Sequence, residues 1–130
     1  MTNKRVFLDT NILIEILKNR SCRQSAEQLI RKSSPGSLYV STLTYHIVFY
    51  VCKDLDPAVL HEFLSDYEIT DLLADDTDWA RENARTADFE DALQIAMAVR
   101  SGCSEFITLD KDLVANYSSL PTLKVKLLSS

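Results

Sequence analysis

The stretch Val6-Phe7-Leu8-Asp9-Thr10-Asn11-Ile12-Leu13 decides the fold of this chain. Residues 5–8 are predicted to form a buried strand, because apolar residues that favour strands stop abruptly at an acid, and such a strand delivers a carboxylate to a sheet edge. Apolar residues then recur at helical spacing as far as Leu17, and either Thr10 or Asn11 is suited to cap that helix. A buried strand that leads straight into a helix predicts the first unit of a parallel α/β sheet.

Two further aspartates stand at similar junctions. Asp91 lies in Asp88-Phe89-Glu90-Asp91-Ala92-Leu93, and Asp110 follows the apolar run Phe106-Ile107-Thr108-Leu109. Because ligands of open α/β sheets bind at the carboxyl ends of the strands, we expect Asp9, Asp91 and Asp110 to converge there. Converging carboxylates repel one another unless a cation shares the site, and oxygen ligands without a histidine or cysteine cluster favour Mg²⁺ or Mn²⁺. The sequence therefore predicts a metal-dependent enzyme.

The rest of the chain alternates between strand-like and helix-like segments. Further strands are predicted over residues 38–40, 67–69, 105–109 and 125–128, and helices over residues 22–31, 41–52, 57–65, 76–85 and 88–100. The Val, Tyr and Phe content of residues 41–52 also suits a strand, but the length of this segment and Ser41 at its start favour a helix. Strands that alternate with helices predict one three-layer α/β/α sandwich with a central, mostly parallel sheet over residues 1–130.

Length and composition restrict the class of protein. At 130 residues, with 46% apolar residues and two glycines, the chain suits one compact, helix-rich domain. No apolar run approaches the roughly 18 residues that cross a bilayer, and Asp9 and Glu15 interrupt the N-terminal apolar segment, unlike a signal peptide. Cys22, Cys52 and Cys103 form no CxxC pair, which favours reduced thiols and a cytoplasmic protein.

Charge is distributed unevenly along the chain, although its net value is only −5. Residues 1–35 carry seven Lys and Arg against three Asp and Glu, whereas residues 53–91 carry three against thirteen. This distribution excludes a broad basic nucleic-acid surface. Five basic residues near the N-terminus form either a local anion-binding patch or a solvated helix face. They are Lys18, Arg20, Arg23, Arg31 and Lys32. The charge-free residues 38–52 are either core alone or partly an interface.

Three stretches taken together resemble the PIN-domain ribonucleases, especially the small VapC-type toxins of prokaryotic toxin–antitoxin pairs. They are Phe7-Leu8-Asp9-Thr10-Asn11, Asp88-Phe89-Glu90-Asp91-Ala92-Leu93 and Thr108-Leu109-Asp110-Lys111-Asp112-Leu113. Their order and spacing and the total length all match, so the resemblance covers essentially the whole chain. It implies a PIN-like fold and a metal-dependent endoribonuclease that cleaves single-stranded or structured RNA as the toxin of such a pair. The partners that it implies are a cognate antitoxin protein and a second copy of the chain in a homodimer.

The resemblance also assigns roles to individual residues. It implies that Asp9, Asp91 and Asp110 are catalytic and hold one or two Mg²⁺ or Mn²⁺ ions. Asn11 and Thr108 are the polar groups suited to orient a carboxylate or the scissile phosphate. The chemistry needs a metal independently of any family, because a metal ion lowers the pKa of bound water and neutralises charge on the phosphate oxygens.

One position departs from the family pattern. The family usually carries a glutamate about six residues beyond the serine that corresponds to Ser41, and here that position holds Ile47. With one carboxylate fewer, a second metal ion would be held weakly. The side chains that could compensate are His46, Asp88, Glu90 and Asp112. Asp88 and Glu90 are most simply first-turn acids that complement the helix dipole.

Two other classes of function share part of this pattern. A catalytically weakened PIN module would bind RNA or a protein partner without cleavage, and the missing glutamate supports that alternative. A phosphotransfer domain of the haloacid-dehalogenase type needs Asp-x-Asp, whereas this chain reads Asp9-Thr10-Asn11. A response-regulator domain needs an acid pair before its first helix together with a late lysine, and the sequence does not supply this set. The nuclease interpretation is therefore preferred.

Overall fold

The protein is described by a computed structural model that covers residues 4–128. The strands are β1 (Val6–Leu8), β2 (Leu38–Ser41), β3 (Glu68–Thr70), β4 (Glu105–Thr108) and β5 (Lys124–Leu127). The helices are α1 (Thr10–Leu17), α2 (Arg23–Lys32), α3 (Thr42–Val51), α4 (Pro57–Leu64), α5 (Ala74–Asn83), α6 (Phe89–Arg100) and α7 (Lys111–Asn116). Strands and helices alternate along most of the chain, as the sequence predicts.

All neighbouring strands pair in parallel, in the order β3-β2-β1-β4-β5. The chain moves outward from β1 through β2 to β3 on one side, and then returns to the other side of β1 for β4 and β5. The strand order therefore reverses between β1 and β4. Ligands of open parallel sheets bind in the crevice outside the carboxyl ends of the strands at such a reversal. Asp9 follows β1 and Asp110 follows β4, so both lie beside this crevice.

Both faces of the sheet are covered by helices. Val6 and Leu8 of β1 point into an apolar cluster formed with α1, α2, α3 and α4, whereas Phe7 points into a second cluster formed with α6 and α7. Phe7 stacks on Phe106 of β4 with 5.4 Å between the ring centroids. Each fully buried side chain of this size contributes about 1.5–3 kcal/mol to stability. The three-layer α/β sandwich predicted from the sequence is confirmed.

Most element boundaries also agree with the sequence prediction. The ambiguous residues 41–52 form a helix, α3, and the Ser41 side chain caps it by accepting a hydrogen bond from the Thr44 N–H. Helix α6 ends at Arg100, and Gly102 just beyond it has a φ of 72°, which glycine adopts without steric cost. Between residues 4 and 128 no helix combines the length and the apolar character needed to cross a membrane.

A partly buried ion pair joins helices α5 and α6. Arg100 donates from Nε to Asp76 Oδ1 at 2.8 Å and from Nη2 to Asp76 Oδ2 at 2.9 Å. The Asp76 carboxylate is only 2% exposed, and it also accepts a hydrogen bond from the Leu73 N–H at the start of α5. This bidentate pair fixes the end of the helix whose first turn carries Asp91.

Candidate active site

The three predicted aspartates occupy three different elements at the carboxyl edge of the sheet. Asp9 is the residue between β1 and α1, and Asp91 is in the first turn of α6. Asp110 begins α7, where its Oδ1 accepts hydrogen bonds from the Asp112 N–H at 2.9 Å and the Leu113 N–H at 3.3 Å. Asp110 therefore uses one carboxylate oxygen as a helix cap and leaves the other for a ligand.

A single hydroxyl group joins the ends of β1 and β4. Thr108 Oγ1 donates to Asp9 Oδ2 at 2.7 Å, and it accepts a hydrogen bond from the Asp110 N–H at 3.1 Å. The Asp9 N–H in turn donates to the carbonyl oxygen of Ile107 at 2.9 Å. Thr108, which is fully buried, therefore fixes the direction of the Asp9 carboxylate and the start of the turn that carries Asp110.

Burial and, after it, mutual repulsion among carboxylates govern the electrostatics of the site. Partial burial, followed by the charges of Asp88, Asp9, Asp110 and Glu90, raises the pKa of Asp91 to about 7. Burial also raises the pKa of Asp9, against the opposing effect of its hydrogen bond from the Thr108 hydroxyl. Because each of these acids acts on its neighbours, they form one cluster rather than separate helix caps. The negative charge of this cluster favours the binding of a cation.

Asp88 and Glu90 belong to this cluster, although the sequence explains them simply as first-turn acids. The Asp88 side chain caps α6 by accepting a hydrogen bond from the Glu90 N–H at 3.0 Å. Its charge is nevertheless the largest contribution of a neighbouring acid to the raised pKa of Asp91. Burial and the charges of Asp88 and Asp9 raise the pKa of Glu90, while His46 opposes the rise. His46 on α3 therefore lies close to Glu90, whereas Asp112 lies on the exposed side of α7.

The chemistry of these side chains fits a divalent cation with oxygen ligands. Asn11 lies two residues after Asp9, and its Oδ1 is buried and accepts no hydrogen bond. This oxygen is therefore a hydrogen-bond acceptor without a partner near this edge of the sheet. Within residues 4–128, no three His, Cys, Asp or Glu side chains are already gathered as ligands of one ion. A cation would remove the repulsion that opposes their closer approach. Asp9, Asp91 and Asp110 are the residues that could hold it.

A buried hydrogen-bond network lies beneath the acidic cluster. Ser41 Oγ donates to Gln94 Oε1 at 2.8 Å, and Gln94 Nε2 contacts Thr10 Oγ1 at 3.3 Å and Thr44 Oγ1 at 3.5 Å. The two threonine hydroxyls are 2.8 Å apart. The sequence prediction overlooked Gln94, although a glutamine among the inward-facing apolar residues of α6 was a signal that a polar partner existed.

The position that departs from the family pattern lies on α3. Ile47 is partly buried there and His46 is exposed. No carboxylate of α3 contributes to the site, because the segment between Ser41 and Cys52 contains none. The acids around the crevice therefore come from the end of β1, the start of α7 and the start of α6, where Asp88, Glu90 and Asp91 lie.

The basic residues near the N-terminus lie away from the site. Helix α1 begins at the site with Thr10 and has eight residues, so its far end is about 12 Å from its start beside Asp9. Lys18 at that end pairs with Asp54, and both Arg23 and Arg31 pair with Glu27. These are surface ion pairs, which favours the interpretation of a solvated helix face.

The raised pKa of Asp91 predicts how stability depends on pH when no metal is present. An unfolded Asp releases its proton near pH 4, whereas folded Asp91 keeps it to about pH 7. The stabilisation is therefore complete below about pH 4 and is lost as the pH rises through 7. Between pH 5.5 and 8 in EDTA, we expect the free energy of unfolding in urea to fall by about 1 kcal/mol, since the carboxyl is partly solvated. Asp91→Asn should flatten this decline, and an equally steep decline in that variant would contradict the assignment.

Comparison with known proteins agrees with the fold described above. The family model for the PIN domain matches residues 6–118 of the chain. No curated protein matches the sequence significantly. Among solved structures, a toxin–antitoxin complex from Klebsiella pneumoniae has a TM-score of 0.74 at 21% identity, over 91% of this chain and 94% of the other.

Two further structures show the same fold. VapBC2 from Rickettsia felis, bound to a DNA fragment from its promoter, has a TM-score of 0.67 at 18% identity, over 95% of this chain and 98% of the other. VapC20 from Mycobacterium tuberculosis, described as a sarcin–ricin loop cleaving toxin, has a TM-score of 0.65 at 18% identity, over 85% of this chain and 93% of the other. At these identities the structural likeness concerns the fold.

Proposed function

This chain belongs to the PIN domain family, and we propose that it is a divalent-metal-dependent endoribonuclease that acts as the toxin of a toxin–antitoxin pair. The observation that carries the proposal is the group of mutually repelling carboxylates at the reversal point of the sheet, where the pKa of Asp91 is raised to about 7. A structural neighbour that is described as cleaving the sarcin–ricin loop, which is RNA, supports the substrate class.

In the proposed reaction Asp9, Asp91 and Asp110 would hold Mg²⁺ or Mn²⁺. When bound, such a metal would make hydroxide accessible at neutral pH and would neutralise charge on the phosphodiester. The Thr108 hydroxyl keeps the Asp9 carboxylate turned toward the crevice. We also propose that Asn11, two residues after Asp9, orients a carboxylate or the scissile phosphate; its Oδ1 is buried and accepts no hydrogen bond from the protein.

Cleavage of single-stranded RNA by the purified chain tests the proposal. We expect slow cleavage that requires a divalent cation and stops in EDTA. Mn²⁺ should support it better than Mg²⁺, because Mg²⁺ demands stricter octahedral geometry and gives up its waters reluctantly, and this site lacks one usual carboxylate. End-labelled RNA resolved on a denaturing gel gives the rate in each metal.

The alternative is a PIN module that binds RNA or a protein without cutting, and the observation that favours it is Ile47 in place of the usual glutamate. The same assay separates the two functions. RNA that binds in a gel-shift experiment but stays intact in both metals would establish the binding module and exclude the nuclease.

We further propose two protein partners. Structural neighbours are toxin–antitoxin complexes, which supports an antitoxin partner. We expect this antitoxin to place a basic side chain at the acidic cluster, because the closely spaced carboxylates there favour a positive charge. A homodimer is proposed as well, and exposed apolar side chains are available for such contacts. They include Tyr50, Val59, Ile69, Leu72, Leu73 and Phe89. Light scattering should give the mass of a dimer at micromolar concentration, and a monomer at high micromolar concentration would contradict the homodimer.

A further inference from the structure

The buried network around Gln94 connects three elements that are distant in the sequence. Thr10 begins α1, Ser41 and Thr44 form the junction of β2 and α3, and Gln94 lies in the middle of α6. All four side chains are buried, with exposures between 0% and 5%. Burying a polar group lowers the stability of a protein unless its donors and acceptors are hydrogen-bonded. A complete network is therefore a sign that the fold holds these four side chains in one arrangement.

The hydrogen atoms of the network can be assigned in one way. Gln94 Oε1 only accepts, so the Ser41 hydroxyl must donate to it. Because the Ser41 hydrogen is used in this way, the Thr44 hydroxyl donates to Ser41 Oγ across the 3.3 Å that separate the two oxygens. The Thr44 hydroxyl therefore accepts from Thr10.

The two N–H groups of the Gln94 amide complete the assignment. They donate to the hydroxyls of Thr10 and Thr44, at 3.3 Å and 3.5 Å. Every side-chain donor in the network thus has an acceptor, and every contact has one hydrogen atom. A fully satisfied network of this kind favours a single arrangement of the three elements that it joins.

This network holds both sides of the acidic cluster. Gln94 follows Asp91 by three residues on α6, so the two side chains lie on neighbouring turns of one helix face. Thr10 follows Asp9 directly, and its backbone N–H interacts favourably with the Asp9 carboxylate. A shift of α6 relative to the start of α1 would change the separation of Asp9 and Asp91, and the Gln94–Thr10 contact opposes that shift.

We propose that Gln94 is a positioning residue for the active site, which sets the separation of the Asp9 and Asp91 carboxylates through Thr10, Ser41 and Thr44. The inference rests on the proposed nuclease function, since the consequence that matters is the geometry of metal binding. Groups that hydrogen-bond directly to a metal ligand typically change metal affinity or activity by about 10–100-fold when they are removed. Gln94 acts at one further step, through Thr10 next to Asp9.

Gln94→Met tests this role, because Met has a similar length and lacks the amide. We expect the affinity for Mn²⁺, measured by calorimetry without RNA, to fall about tenfold, and kcat for RNA to fall about 10–100-fold while KM changes less than about threefold. Leu60→Ala is the control for general destabilisation, since Leu60 is buried on α4 away from the network. It should leave Mn²⁺ affinity and kcat unchanged at temperatures where it is folded.

A matched pair at Thr44 covers the case in which Gln94→Met fails to fold. Thr44→Val is nearly isosteric but lacks the hydroxyl, whereas Thr44→Ser retains it. We expect Thr44→Val to weaken Mn²⁺ binding and lower kcat, and Thr44→Ser to restore both to within about threefold of the wild type. Equal Mn²⁺ affinity in the wild type and in either folded variant without the network would overturn the positioning role.

These readouts separate the two proposals. A wild type that binds Mn²⁺ but leaves RNA intact overturns the nuclease function alone, and Mn²⁺ affinity of the variants still decides the role of Gln94. A wild type that binds no Mn²⁺ overturns both. A wild type that cleaves RNA, with kcat unchanged in folded Gln94→Met, overturns the positioning role alone.

Discussion

Asp91→Asn is expected to lower RNA cleavage at least about 100-fold while leaving the fold intact. The substitution keeps the shape of the side chain but removes a charge that a divalent cation needs, and removal of a metal ligand disables both hydroxide formation and charge neutralisation. The same change should stabilise the metal-free protein near pH 8, because it removes a carboxylate that its neighbours Asp88 and Asp9 repel. Loss of activity together with gain of stability is the signature of a functional acid rather than a structural one.

Asp54→Asn provides the matched control for this experiment. Asp54 is an exposed carboxylate whose partner is Lys18, at the end of α1 away from the site, so its removal should leave cleavage within about twofold. Asp9→Asn should resemble Asp91→Asn in activity. Metal-dependent cleavage that survives either of these two substitutions would show that the acidic cluster is not the catalytic site.

Much of the fold could be predicted because β1 and α1 follow local rules. A strand buried on both faces is a short apolar run, and the abrupt change at Asp9 from strand to helical periodicity is visible without any knowledge of distant residues. The sequence also predicted that Asp9 and Asp110 lie at the same edge of the sheet, because the carboxyl ends of parallel strands share one edge. The helical state of α3 followed from its length and from the cap at Ser41.

The parts that could not be predicted depend on partners far apart in the sequence. The Ser41–Gln94 bond joins residues 53 positions apart, and no local pattern specifies it. Helix α5 begins at Ala74, two residues before its predicted start, because the Asp76 side chain accepts a hydrogen bond from the Leu73 N–H. Leucine is not a capping residue, so the usual sequence signal was missing. The electrostatic contribution of Asp88 likewise appears only when Asp9 and Asp91 are brought close to it.

Arg100→Met is expected to lower the free energy of unfolding by about 3 kcal/mol. This is the largest effect on stability that we predict. Removing the guanidinium leaves the Asp76 carboxylate, which is 2% exposed, without its charged partner. The Arg100 side chain itself is about one third exposed, which places the expected loss at the lower end of the range for buried pairs. For a domain of this size the midpoint of thermal unfolding should fall by about 10 °C.

Arg81→Met separates this effect from the general loss of an arginine. Arg81 lies on α5 and pairs with Asp78, and both side chains are well exposed, so this change should cost less than about 0.5 kcal/mol. Urea denaturation of both variants, together with Asp76→Asn and the double variant, gives the coupling energy of the pair directly. A loss below about 1 kcal/mol in Arg100→Met would mean that water reaches Asp76 as α5 loosens. The attachment of α5 would then contribute little to holding α6, and with it Asp91, in place.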